Sequence, residues 1–169
     1  MAEVTRSLTI AAPQKAVWAV LADFDRIVDW AHDVDHSCLL TDRASGVGTV
    51  RRIQQGANTV TETVVDWDEP IRLAYRIDGL PRLLRRVINR WDLAEDEDGT
   101  RASLTVEVVP VRPPATVVAQ LAARMVGRVN ARMLSNLQAQ VEGVRSGDGT
   151  GRDCGHDRRG TGRTLLRGG

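Results

Sequence analysis

The residues best placed to do chemistry are one basic and one acidic side chain separated by a hairpin. Gly56-Ala57 centres a short loop that sets Gln55 against Asn58, and counting outward brings Arg51 opposite Glu62. Strand side chains alternate between faces, so Val47, Thr49, Arg51, Ile53, Val60, Glu62 and Val64 share one face. Val50, Arg52, Gln54, Thr61, Thr63, Val65 and Trp67 share the other. The first set is the more apolar and is expected to point inward, which buries Arg51 against Glu62 at a spacing suited to a charge pair. Two roles stay open for the pair. It can neutralise itself and fix the hairpin register, or it can line a cavity and orient a ligand's polar group. Apolar residues would stabilise an interior at lower cost, which leans toward use.

The same parity on later strands turns Leu73, Tyr75 and Ile77 inward, then Val87, Asn89, Trp91 and Leu93, then Ala102, Leu104, Val106 and Val108. Tyr75, Asn89 and Trp91 differ from the rest because each carries a hydrogen-bonding group into apolar surroundings. Buried, they need partners from protein, water or ligand. With Arg51 and Glu62 they are the polar candidates for a ligand site.

Other constellations are weaker. His32, His36 and Cys38 sit near Asp33 and Asp35, and His-x3-His can place two imidazoles on one helical face. The segment leaves a helix and enters a strand, which breaks that geometry, so surface histidines and no metal are expected. There is no serine-nucleophile motif, no phosphate-cradling glycine loop and no convincingly spaced carboxylate pair, and no cofactor is expected. The run Glu95 to Asp98 reads as a solvated turn.

These side chains need elements to position them. Residues 3–11 alternate as a half-buried strand, Pro13 opens a helix, and Phe24 to Trp30 forms a second short helical piece, expected as a lid or bracket. From Val34 to Val109 turn signals recur about every ten residues, giving strands at 34–41, 47–55, 59–67, 72–78, 84–93 and 101–109. Pro113 to Arg145 then reads as one long helix, roughly 45 Å at 1.5 Å per residue. Its apolar stripe runs Val118, Leu121, Met125, Val129, Met133 with Leu134, Leu137, Val141 and Val144. Leu121, Met125, Val129 and Met133 are the expected floor of a cavity, methionine being an adaptable filler. The fold class is α+β: a curved antiparallel sheet around a long C-terminal helix, with two short helices after the first strand.

Composition sets the outer limits. The chain has 169 residues and a formal charge of +1, so no whole-chain field points to nucleic acid or membrane. Two cysteines make no disulfide framework. The N-terminus lacks a signal peptide's basic start and apolar run, and no segment reaches membrane-spanning length; a cytoplasmic protein is expected. Residues 146–169 hold eight glycines and five arginines and read as a disordered tail behind a domain of residues 1–145.

Several phrases resemble the START and Bet v 1-like helix-grip superfamily, in particular its polyketide cyclase/dehydrase branch. They are IAAPQKAVWAVLADFDRIVDW (10–30), GVGTVRRI (46–53), TVTETVVDWDEP (59–70), LAYRI (73–77) and DGTRASLTVEV (98–108). The likeness implies a small hydrophobic or amphipathic ligand, such as a lipid, polyketide or quinone, held between sheet and helix. It also leaves room for an aromatase/cyclase using the same cavity, or a module associated with ribosomes or quinone. Cyclisation would need a proton donor and acceptor, for which Arg51, Glu62, Tyr75 and His32 are the available groups. Oligomeric state is not specified by any of these features.

Overall fold

A computed structural model describes the backbone of residues 2–80, 84–110 and 116–147, and the side chains of 3–80, 86–109 and 128–143. Strand β1 (Ala2–Ile10) leads into α1 (Gln14–Ala22) and a 3₁₀ helix (Phe24–Asp29). Then come β2 (His36–Leu39), β3 (Val50–Gln55), β4 (Asn58–Asp68), β5 (Arg72–Asp78), β6 (Leu84–Asp96), β7 (Gly99–Pro110) and the long helix α2 (Thr116–Gly147). The seven strands form one antiparallel sheet in the order β1-β7-β6-β5-β4-β3-β2. Consecutive strands from β2 to β7 lie side by side as a meander, and β1 closes against β7. This is the helix-grip α+β fold. The disordered-tail expectation falls almost wholly on 148–169, outside the described residues.

The outer face of the sheet is charged. Arg72 bonds Asp92 at 2.7 Å, while Arg90 reaches Asp92 at 3.0 Å and Glu107 at 3.2 Å. The inner face is the core. Ile10, Leu73, Trp91, Leu104 and Ala102 from the sheet meet Val17, Trp18 and Leu21 of α1, together with Leu134, Leu137 and Val141 of α2. A positive φ of 139° and crowding against the Ile10 carbonyl explain glycine at Gly99, where the β6–β7 turn tucks under the start of α1. Beside it, the buried Thr100 hydroxyl donates to the Ala12 carbonyl at 2.7 Å.

Four local expectations need correction. The 3₁₀ helix is no lid: Phe24, Ile27 and Trp30 are all buried in the core. Trp67 points inward, stacking edge-on against Trp18 at 5.2 Å, because a bulge at Val65 adds one residue to β4 and reverses the side-chain parity beyond it. Val47 precedes β3 in a turn and is exposed. Val129 is 49% exposed. The buried row of α2 is Asn130, Leu134, Leu137 and Val141, and at about 100° per residue Val129 is rotated off that row toward water. Asn130 takes the inward place, its amide donating to the carbonyls of Val4 at 3.3 Å and Leu104 at 3.4 Å.

Candidate functional site

Arg51 and Glu62 stand opposite each other in the β3–β4 ladder, the register that follows from centring the hairpin on Gly56-Ala57. Both are buried, at 3% and 5% exposure. Arg51 Nε and Nη2 donate to the same carboxylate oxygen, Glu62 Oε2, at 2.7 and 2.6 Å. Its Nη1 donates to the carbonyl of Phe24, and the guanidinium lies 3.8 Å from the centroid of the Phe24 ring. Arg51 therefore fastens the 3₁₀ helix to the centre of the sheet. Nothing in local sequence pattern announces Phe24 as its partner, since the contact joins residues in different elements.

Tyr75 sits beside this pair. Its ring packs edge-on to Phe24 at 5.7 Å, with the Arg51 guanidinium 5.3 Å from its own centroid. Its hydroxyl oxygen accepts from Asn89 Nδ2 at 3.3 Å and from Trp91 Nε1 at 3.4 Å. Desolvation by burial pushes the Tyr75 pKa up, and the negative charge of Glu62 adds to the shift. The phenol is thus held protonated. Trp91 is fully buried and meets Trp30 edge-on at 6.2 Å, whereas Asn89 is only half-buried.

The sheet register frames Asn89 with aliphatic neighbours. It lies opposite Tyr75 on one side and Val106 on the other, with Val87 two residues back and Ile77 across from Val87. Ile77, Val60 and Val108 are half-buried on this inner surface, as is Met133 on α2. Toward β2 the surface carries two buried hydroxyls, Thr49 Oγ1 and Ser37 Oγ, without a hydrogen-bond partner among the described residues. Thr49 shares the inward parity of Arg51; Ser37 was not legible because β2 is only four residues long.

The five polar candidates thus fall into two adjoining groups, Arg51 with Glu62 and Tyr75 with Asn89 and Trp91. The helix candidates separate: Met133 packs against the core, Val129 faces water, and the side chains of Leu121 and Met125 lie outside those described. His32, His36 and Cys38 are exposed, and His32 Nδ1 pairs with Asn136 Oδ1 at 3.1 Å, away from the interior. Among the described residues no group of three His, Cys, Asp or Glu side chains is placed to hold a metal. No helix among them is long and apolar enough to cross a membrane.

The family model for polyketide cyclase/dehydrase and lipid transport matches residues 1–142. The chain belongs to that family. Its fold is similar to that of the Zhui aromatase/cyclase from Streptomyces sp. R1128, with a TM-score of 0.73, 22% identity, and coverage of 88% of this chain and 98% of that one. XoxI from Bacillus cereus superposes with a TM-score of 0.70 at 18% identity, covering 86% and 99%. The di-domain aromatase/cyclase StfQ of the steffimycin pathway gives 0.71 at 15% identity, and the match spans 86% of this chain but 52% of StfQ. At these identities the likeness speaks for the fold. A search of curated proteins returns no match.

Proposed function

We propose that this family member binds a small hydrophobic or amphipathic molecule, of lipid, polyketide or quinone type, between the curved sheet and α2. The observation that carries the reading is the half-buried Asn89, a polar group bonded to Tyr75, whose hydroxyl oxygen also accepts from Trp91, and framed by Ile77, Val87 and Val106. A few hydrogen-bonding groups in an apolar wall are what a small-molecule site requires. The test is native mass spectrometry of protein purified from its own host, alongside titration with the neutral dye Nile red. A co-purifying small molecule or saturable dye binding is expected, and Ile77→Trp, which fills the wall beside Asn89, should abolish it without loss of fold. Absence of any bound molecule, with no saturable dye binding, sinks the proposal.

The second reading is an aromatase/cyclase-type enzyme using the same cavity. Tyr75 favours it, as a buried phenol that keeps its proton and can hydrogen-bond a substrate oxygen. Arg51 argues the other way, since each of its three guanidinium nitrogens already donates, two to Glu62 and one to the Phe24 carbonyl. Incubation with a poly-β-ketone chain should then change the product distribution in a Tyr75-dependent manner. Products identical to the uncatalysed mixture would remove this reading and leave binding untouched.

A further inference from the structure

We propose that Asn89 and Tyr75 together hold one uncharged ligand oxygen, of carbonyl or quinone type, and that the site discriminates against carboxylates. This rests on the binding reading above and adds the ligand's polar chemistry. The first argument is a hydrogen-bond inventory. Tyr75 has one O–H donor and the Asn89 amide has two N–H donors, while Trp91 Nε1 is already directed at Tyr75 Oη. With Asn89 Nδ2 donating to Tyr75 Oη, the tyrosine proton and the second amide proton remain uncommitted among the described residues. With the amide reversed, Tyr75 donates to Asn89 Oδ1 and both amide protons remain. Either orientation leaves two donors, one on each side chain with the amide as the structure has it and both on Asn89 with it reversed, and a carbonyl oxygen has two lone pairs to receive them. Asn89 brings them to the half-buried surface.

The second argument concerns charge. Arg51 is the buried cation among the described residues, and each of its three guanidinium nitrogens already donates, two to Glu62 and one to the Phe24 carbonyl, with the Phe24 ring against its face. The pair is neutral as a unit. A carboxylate docked at Asn89 and Tyr75 would satisfy the donors but lose its hydration without gaining a counter-ion, which is the costly case. A neutral carbonyl meets the same donors without that penalty.

Three probes of similar shape test this at neutral pH by displacement of Nile red: 2-acetylnaphthalene, its alkene isostere 2-isopropenylnaphthalene, and 2-naphthoate. The ketone is expected to bind about tenfold more tightly than the alkene, the value of one to two net hydrogen bonds. Naphthoate should bind at least as much more weakly than the ketone. Tyr75→Phe, which keeps the ring against Phe24, and Asn89→Leu should each erode the ketone's advantage while leaving alkene affinity within about twofold, with circular dichroism confirming the fold. Equal binding of ketone and alkene, naphthoate binding as tightly as ketone, or an intact ketone preference in both variants would each overturn the inference while binding itself stands. Failure of all three probes to displace bound Nile red overturns the inference, and absence of saturable Nile red binding overturns the binding reading as well.

Discussion

Removing one member of the Arg51–Glu62 pair leaves the other charged in a nearly dry place. The contacts are 2.6 and 2.7 Å and the side chains 3% and 7% exposed, so water cannot replace the lost partner without opening the sheet. Breaking such a pair costs about 3–5 kcal/mol. Glu62→Leu strands the guanidinium; Arg51→Met strands the carboxylate and also frees the Phe24 carbonyl. Against a total stability of about 5–15 kcal/mol, either change removes roughly a fifth or more. For a domain of this size that corresponds to a fall in Tm of roughly 6–20 °C. The double variant Arg51→Met/Glu62→Leu has no stranded charge and is expected within about 2 kcal/mol of the parent. The cycle therefore predicts a coupling energy of about 4 kcal/mol or more, read from urea unfolding of the four proteins. Additive single effects, with coupling under about 1 kcal/mol, would refute the buried-pair account. Nile red affinity measured on the same folded proteins separates the roles: unchanged affinity makes the pair a staple for the 3₁₀ helix, and a large loss makes it part of the ligand site.

Tyr75 is the chain's single tyrosine, so the ultraviolet band of tyrosinate reports it alone. Its folded pKa is raised above the ordinary value of 10.0, so the stabilisation is fully present below about pH 10 and is lost as pH climbs through the folded value. The native protein should show no tyrosinate where the urea-unfolded chain is half-ionised, and Tyr75→Phe should lose less stability than the parent above that pH; a native midpoint near 10 refutes burial of the phenol. On α2, Val129→Ser should change stability by no more than about 0.5 kcal/mol while Leu134→Ala costs about 2–5 kcal/mol; equal costs in thermal melts would mean that the helix is rotated from the described orientation. Gly99→Ala forces a methyl group against the Ile10 carbonyl at a positive φ and should cost more than about 1 kcal/mol, whereas Gly143→Ala, with open space around it on the helix, should be neutral or stabilising.

The pattern of what could be read from sequence follows from how far each inference had to reach. The Arg51–Glu62 register needed only a loop centre and a count of two-residue steps, and the same parity turned Tyr75 and Trp91 inward. That arithmetic held until the chain departed from it. One extra residue at Val65 turned Trp67 to the other face, and no feature of a β-branched stretch marks a bulge in advance. On the long helix, residues at gaps of three and four define a stripe wide enough to include both Val129 and Leu134. Which edge of the stripe is buried depends on the partner surface, and here a polar residue, Asn130, occupies the inward position because two strand carbonyls receive its amide. The Phe24 contact with Arg51 lay beyond any local rule.

The interior has two unlike halves, and the difference bears on where a ligand can sit. At one end rings pack in edge-on pairs, Trp18 with Trp67, Phe24 with Tyr75 and Trp30 with Trp91, and Arg51 is held against Phe24 and Tyr75 by Glu62 and a backbone carbonyl. Aromatic rings packed this way leave little freedom, and opening them would strand a buried charge. At the other end the wall is aliphatic, with Ile77, Val60 and Val108 half-buried and Val87 and Val106 buried. Aliphatic walls can admit a guest without breaking a hydrogen bond. Asn89 stands at the boundary, bonded backward into the aromatic half and open toward the aliphatic one. A ligand seated against Ile77 and Val87 can therefore reach a polar contact while the Arg51–Glu62 staple stays closed. The charged pair, the first feature to draw attention in the sequence, then works as the support that keeps Tyr75 and its neighbours in place.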